Sequence, residues 1–219
     1  MITPANASPS HSSSNVAARD RRTPKADCVL GNIVLPGVIR DVCERRELPW
    51  GHDSSGCIYT DSRSDGGGFC ESDAPNFTFR HNNCSFYSGC KALGEELLKE
   101  TDNRYVWRLR IPFNHVDSSR NYLSKLMRYT RLLDVRISLS HLDEFVEACL
   151  DCWQNRLDMG IYNLTCTGSI TTREIVEIIR RSGLCDKRTC RMGQERWDLN
   201  PHPFRALDFE SFPKVQKRG

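Results

Sequence analysis

Between residues 85 and 113 the apolar residues change their period, and that change restricts the fold more than any other feature of the chain. SFYSGCKALGEELLKE, residues 85 to 100, has helical spacing, whereas RYVWRLRIPF, residues 104 to 113, alternates and is rich in β-branched and aromatic side chains. A helix running straight into a strand is half of a crossover unit, and the pattern recurs on both sides. Upstream, NIVLPGVIRDVCERR, residues 32 to 46, reads as a helix with Ile33, Val38 and Val42 as its apolar stripe, weakened in its first half by Pro36 and Gly37. LPWGHDSSGCIYTD then reads as a short strand that opens into a polar, glycine-punctuated loop through RSDGGGFCESDAPNF. Downstream come helices at NYLSKLMRY and HLDEFVEACLDCWQ, a short strand at GIYNLT, and a helix from Ser169 or Thr171, where Thr171 and Glu174 have capping-box spacing. Helices alternating with strands predict an α/β fold with a parallel sheet.

The ends differ from this middle. Residues 1–26 are rich in Ser, Ala and Pro and poor in large apolar residues, so a disordered tail is expected there; residues 182–219 lose periodicity and gain prolines and charges, and read as irregular. The folded domain is expected over 27–181. With 31 basic against 28 acidic residues the net charge is +3, which argues against a nucleic-acid or anionic-membrane partner. No run of apolar residues is long enough to span a bilayer and no signal-peptide core is visible, so the eleven cysteines are read as reduced and the chain as cytoplasmic. Cys149 and Cys152 have half the spacing of a zinc site, but Cys185 and Cys190 do not supply the other half; the helical pattern around the first pair favours buried thiols, and no metal is assigned.

Three segments would meet at one place in such a fold. SSGC ends a strand, YSGCK begins a helix after a loop, and RLRIP lies in the next strand; open α/β sheets bind ligands beyond the carboxyl ends of their strands. Tyr87 and Lys91 are one turn apart on the same helical face. Taken with GCIYTD, APNF, RNYLSKLMRY and GIYNLTCTGSITTREI, these segments resemble the extended short-chain dehydrogenase/reductases, and within them the dTDP-4-dehydrorhamnose reductase group and the rhamnose-forming 4-keto-6-deoxyhexose 3,5-epimerase/4-reductases, over residues 27 to 181.

The resemblance implies a partial Rossmann-like sheet with a small C-terminal substrate-binding subdomain, an NADP or NAD cofactor, and a nucleotide-linked 4-keto-6-deoxy sugar as substrate. It implies that Tyr87 donates the proton to the sugar O4, that Lys91 holds the cofactor ribose and depresses the tyrosine pKa, and that Ser55 hydrogen-bonds the same carbonyl. It also implies that Cys57 serves the epimerisation as acid or base, with Lys125 as its distant partner. On residue type alone, Cys57 reads equally as a small buried apolar residue and Lys125 as a solvated helix charge.

Family members open with a strand, a glycine-rich turn and a helix that hold the cofactor pyrophosphate, and that motif is not found in this sequence. Gly66, Gly67 and Gly68 follow the SSGC strand instead of opening the fold. An uncovered sheet edge calls for a partner, a second copy or an intact homologue. Asp53 falls where the family pattern is apolar, so a buried carboxylate is expected there. Two readings therefore stand: an NAD(P)-dependent epimerase/reductase, and a catalytically inactive homologue that binds a nucleotide sugar or an intact subunit.

Overall fold

In the computed structural model, residues 24–129 and 131–183 are described, together with short strands at 191–192 and 215–216. The chain opens with α1 (Lys25–Val29), continues through a π-turn (Leu30–Val34) and runs on as α2 (Leu35–Arg45). Strand β1 (Trp50–Ser55) follows, then a single 3-10 turn (Gly56–Ile58), a long loop, and α3 (Phe86–Leu97). Next come β2 (Arg104–Leu109), β3 (Pro112–Phe113), α4 (Tyr122–Arg128), β4 (Arg131–Leu132), β5 (Arg136–Ile137) and β6 (Ser140–His141). The remaining elements are α5 (Leu142–Gln154), β7 (Gly160–Asn163), β8 (Thr165–Cys166), β9 (Ile170–Thr171), α6 (Thr172–Arg181), β10 (Arg191–Met192) and β11 (Val215–Gln216).

The main sheet has the order β1-β2-β7 and is parallel throughout, as the alternation predicts. Its register pairs Ser54 with Arg108 and Val106 with Ile161, which sets two faces. Ser54 and Arg108 both reach α3, where they meet Glu95. Tyr105 points the other way and donates its hydroxyl proton to the carbonyl of Leu157 at 2.7 Å, just past α5. A second core gathers Phe113, Leu123, Leu126, Ile137, Ile175 and Ile179 around α4, α6 and the short strand pairs, forming the C-terminal subdomain. The capping box of α6 is present, with Thr171 and Glu174 bonding each other's backbone.

Four expectations are corrected. The first helix begins at Lys25, inside the segment read as a tail, and passes through Pro36 because that residue falls in the first turn of α2, directly after the π-turn. The π-turn inserts an extra residue and rotates the downstream face, so Val38 and Val42 are exposed; Cys28, Pro36 and Asn32 face α3 instead. The crossing is close: a Cβ on Gly94 of α3 would collide with the backbone carbonyl of Asn32, so glycine is required there. The strand read over 104–113 stops at Leu109, since Ile111 adopts φ 43° ahead of Pro112 and turns the chain into β3.

Asp53 is the fourth. It is exposed on β1, one of the two edge strands of the main sheet among the described residues, and not buried. The adjoining surface is filled by Trp107, whose ring lies across Gly51 where any side chain would stand. The expectations for residues 1–23 and for most of the C-terminal tail lie outside the described residues, where only β10, paired with β4, and β11, paired with β8, are described.

Candidate active site

The site forms where β1 ends. Ser55 is its last residue, and its hydroxyl accepts the N–H of Cys57 at 3.3 Å, which caps the 3-10 turn and holds Cys57 beside it. α3 starts close by because Ser85 caps it, accepting the N–H of Ser88 at 3.1 Å. This brings the Tyr87 hydroxyl near enough to Ser55, and the Cys57 thiol near enough to Ser55 and Ser88, for these hydroxyls to influence their ionisation. One turn on, Lys91 donates from Nζ to the carbonyl of Asp53 at 3.0 Å, so its ammonium stands at the same strand end. Ser55, Cys57, Tyr87 and Lys91 therefore form one cluster.

Electrostatics in the cluster are set by burial. The Tyr87 ring is half exposed, but its hydroxyl is turned inward and burial pushes its pKa up to about 12, with the neighbouring thiols Cys57 and Cys28 adding to the shift. This differs from the depressed value expected from Lys91, whose ammonium is engaged at Asp53. Burial lowers Lys91 and raises Cys57; the hydroxyls of Ser55 and Ser88 and the cations Arg110 and Lys91 oppose the shift of the thiol.

Beneath the cluster lies a network that sequence reasoning did not single out. Arg108 on β2 grips Glu95 on α3, with Nη2–Oε2 at 2.6 Å and Nε–Oε1 at 3.0 Å, and both side chains are almost wholly buried. Ser54 also bonds Glu95, and Arg108 donates to the Tyr59 hydroxyl at 3.0 Å. Tyr87, Lys91 and Glu95 follow at i, i+4 and i+8, so the ion pair anchors the face that carries the first two. The available signal was a carboxylate continuing the Tyr-Lys row, facing the second arginine of a strand whose residues between its two arginines are Tyr, Val and Trp.

A cleft of about 890 Å³ opens beside Cys57. Its walls include Gly66–Gly68, Phe69, Arg108, Arg110, Arg136 and Asn163, with Ser88 shared between cleft and cluster. The long loop is tied over it: Tyr59 stacks on Phe69 with centroids 4.5 Å apart, and Glu71 accepts the N–H of Asn163 at the end of β7 at 2.8 Å. The three glycines are thus wall, not a turn ahead of a helix. Lys125 sits half-buried on α4 and is not part of this wall; α4 instead turns Leu123, Leu126 and Met127 into the second core.

A parallel sheet whose strand end presents a serine to a Tyr-x-x-x-Lys helix is the arrangement of the Rossmann-like dehydrogenase/reductases. No protein-family model matches the chain. Over 161 residues, 71% of its length, it is 35% identical to the trifunctional UDP-glucose 4,6-dehydratase/UDP-4-keto-6-deoxy-D-glucose 3,5-epimerase/UDP-4-keto-L-rhamnose-reductase of Arabidopsis thaliana, covering 23% of that protein. It is 34% identical to the bifunctional dTDP-4-dehydrorhamnose 3,5-epimerase/dTDP-4-dehydrorhamnose reductase of the same plant, covering 52% of it. The crystal structure of the UDP-rhamnose synthase of Acanthamoeba polyphaga mimivirus superposes with a TM-score of 0.62 at 26% identity, over 69% of this chain and 52% of that one. The chain is thus a homologue of the rhamnose-forming epimerase/reductases, the group it resembles in sequence, and it spans about half or less of the length of these relatives.

Proposed function

We propose that the chain carries the substrate-facing half of an NAD(P)-dependent 3,5-epimerase/4-reductase acting on a nucleotide-linked 4-keto-6-deoxy sugar. The observation that carries this reading is the convergence of Ser55, Cys57, Tyr87 and Lys91 at the end of β1, beside a cleft lined with cations. Tyr87 and Lys91 fit the nicotinamide-ribose end of a cofactor: the ammonium has no carboxylate partner among the described residues and keeps donors free for ribose hydroxyls. The described residues contain no glycine turn leading into a helix to hold the pyrophosphate.

In this reading a bound NADPH or NADH supplies the hydride to C4. Tyr87 gives its proton to O4 as that charge develops, and Ser55 donates a second hydrogen bond to the same oxygen. For epimerisation the Cys57 thiolate takes the proton from C3 or C5; the C–H pair becomes an enolate with its charge on O4, water returns a proton on the opposite face, and the hydroxide so formed takes the proton from the Cys57 thiol. Arg110 and Arg136 give the cleft the charge to take a nucleoside diphosphate. No helix of the described residues is long and apolar enough to cross a membrane, and we place the protein in the cytoplasm.

The test is titration of the purified chain with NADPH and NADH, followed by nicotinamide fluorescence, and then reduction of a nucleotide-linked 4-keto-6-deoxy sugar. Saturable binding and turnover that Tyr87→Phe lowers at least a hundredfold support the reading. Absence of binding up to millimolar cofactor refutes it for this chain.

A further inference from the structure

Among the described residues Arg110 is a cation without an acid. It follows β2 at the mouth of the cleft, its side chain packs over Gly56 so closely that a Cβ there would stand 3.2 Å from the Arg110 Cδ, and Gly56 immediately precedes Cys57. No carboxylate pairs with it among the described residues, in contrast to Arg108, which is saturated by Glu95. Its backbone is held: the N–H donates to Ser140 Oγ at 2.8 Å, and that hydroxyl in turn donates to the Leu164 carbonyl at 2.8 Å.

The next residue turns the chain away from the strand. Ile111 is β-branched, precedes a proline and lies at φ 43°, a conformation such a residue adopts only under strain of the order of 1–3 kcal/mol. The kink follows Arg110, which lines the cleft together with Cys57 and Arg108.

We infer that Arg110 is the cation that stabilises the Cys57 thiolate as it forms, a part distinct from that of distant acid or base which the resemblance implies for Lys125. This rests on the function proposed above and assigns a positioning residue within it. Burial disfavours the thiolate, and among the charges that oppose this, Arg110 acts more strongly than Lys91. The groups facing Cys57 are Ser55 from β1, Tyr87, Ser88 and Lys91 from α3, Arg110 from the end of β2, and Arg108, Arg136 and Asp61 across the cleft. After proton abstraction the negative charge has moved from sulfur to the sugar enolate and stays within the same field, so the guanidinium need not move.

The experiment needs neither cofactor nor turnover, so it stands or falls apart from the reductase assay. The pH dependence of iodoacetamide modification at Cys57 is followed peptide by peptide by mass spectrometry on the full chain, with Cys43 as an internal reference. Arg110→Met, and Arg110→Gln as a second variant in case one does not fold, should move the Cys57 midpoint up by about one pH unit. Arg110→Lys should restore most of that shift. A profile unchanged in the Met and Gln variants, or one displaced as far by Lys125→Met, overturns the inference.

Discussion

Replacing Arg108 with Met removes one half of the buried pair that fastens α3 to the sheet. Arg108 is 3% exposed and Glu95 5%, and the guanidinium makes contacts of 2.6, 3.0 and 3.1 Å to the carboxylate. Without it, Glu95 keeps among the described residues only the Ser54 hydroxyl, in a site almost closed to water. Breaking a buried pair from one side costs about 3–5 kcal/mol, because an uncompensated charge is left behind, whereas replacing both partners by apolar residues of similar size is often close to neutral. Equilibrium urea unfolding, read by tryptophan fluorescence, should therefore show Arg108→Met destabilised by that amount, or by roughly 10 °C in thermal midpoint for a domain of this size. The double variant Arg108→Met/Glu95→Leu should recover more than half of the loss. A single variant that loses less than about 1 kcal/mol, or a double variant that loses the sum of the two singles, would show that the pair does not hold α3 in place.

Two other perturbations probe separate parts of the fold. His52 is held near a pKa of about 4 in the folded chain, by burial first and by the Lys91 charge second, against 6.5 when unfolded, and its Nε2 has no hydrogen-bond partner among the described residues. Since the folded pKa is the lower one, the unfolded chain takes up the proton first as pH falls from 6.5 towards 4; stability should drop over that window by up to about 3 kcal/mol, and His52→Gln should abolish that part of the drop in urea midpoints measured against pH. Thr171→Ala removes the reciprocal cap of α6 and should lower stability by about 0.5–2 kcal/mol, with faster amide exchange confined to the first turn of that helix.

Where chemistry is carried by local spacing, the sequence was readable. Tyr87 and Lys91 lie one turn apart, Ser85 caps their helix, and the alternation around Val106 makes a strand that must run parallel to β1. Glu95 was legible in principle, since it continues the Tyr-Lys row, but its meaning depends on Arg108 facing it from another strand, and that pairing requires the register. The π-turn defeated the reading of Val38 and Val42, because an inserted residue rotates a helix without leaving a mark in the apolar pattern.

The sequence by itself determined the alternation of helices and strands, the capped starts of α3 and α6, and the presence of a serine, a cysteine and a Tyr-x-x-x-Lys pair in the right order, because each of these depends on neighbours within a few residues. Only the tertiary structure decided which cation stands beside Cys57. Arg110 and Lys125 are both basic residues C-terminal to the cluster, and no periodicity distinguishes them. The difference comes from the position of Arg110 just past β2, which puts it in the cleft wall with Cys57, and from the packing of α4 on the second core, which keeps the other out of that wall.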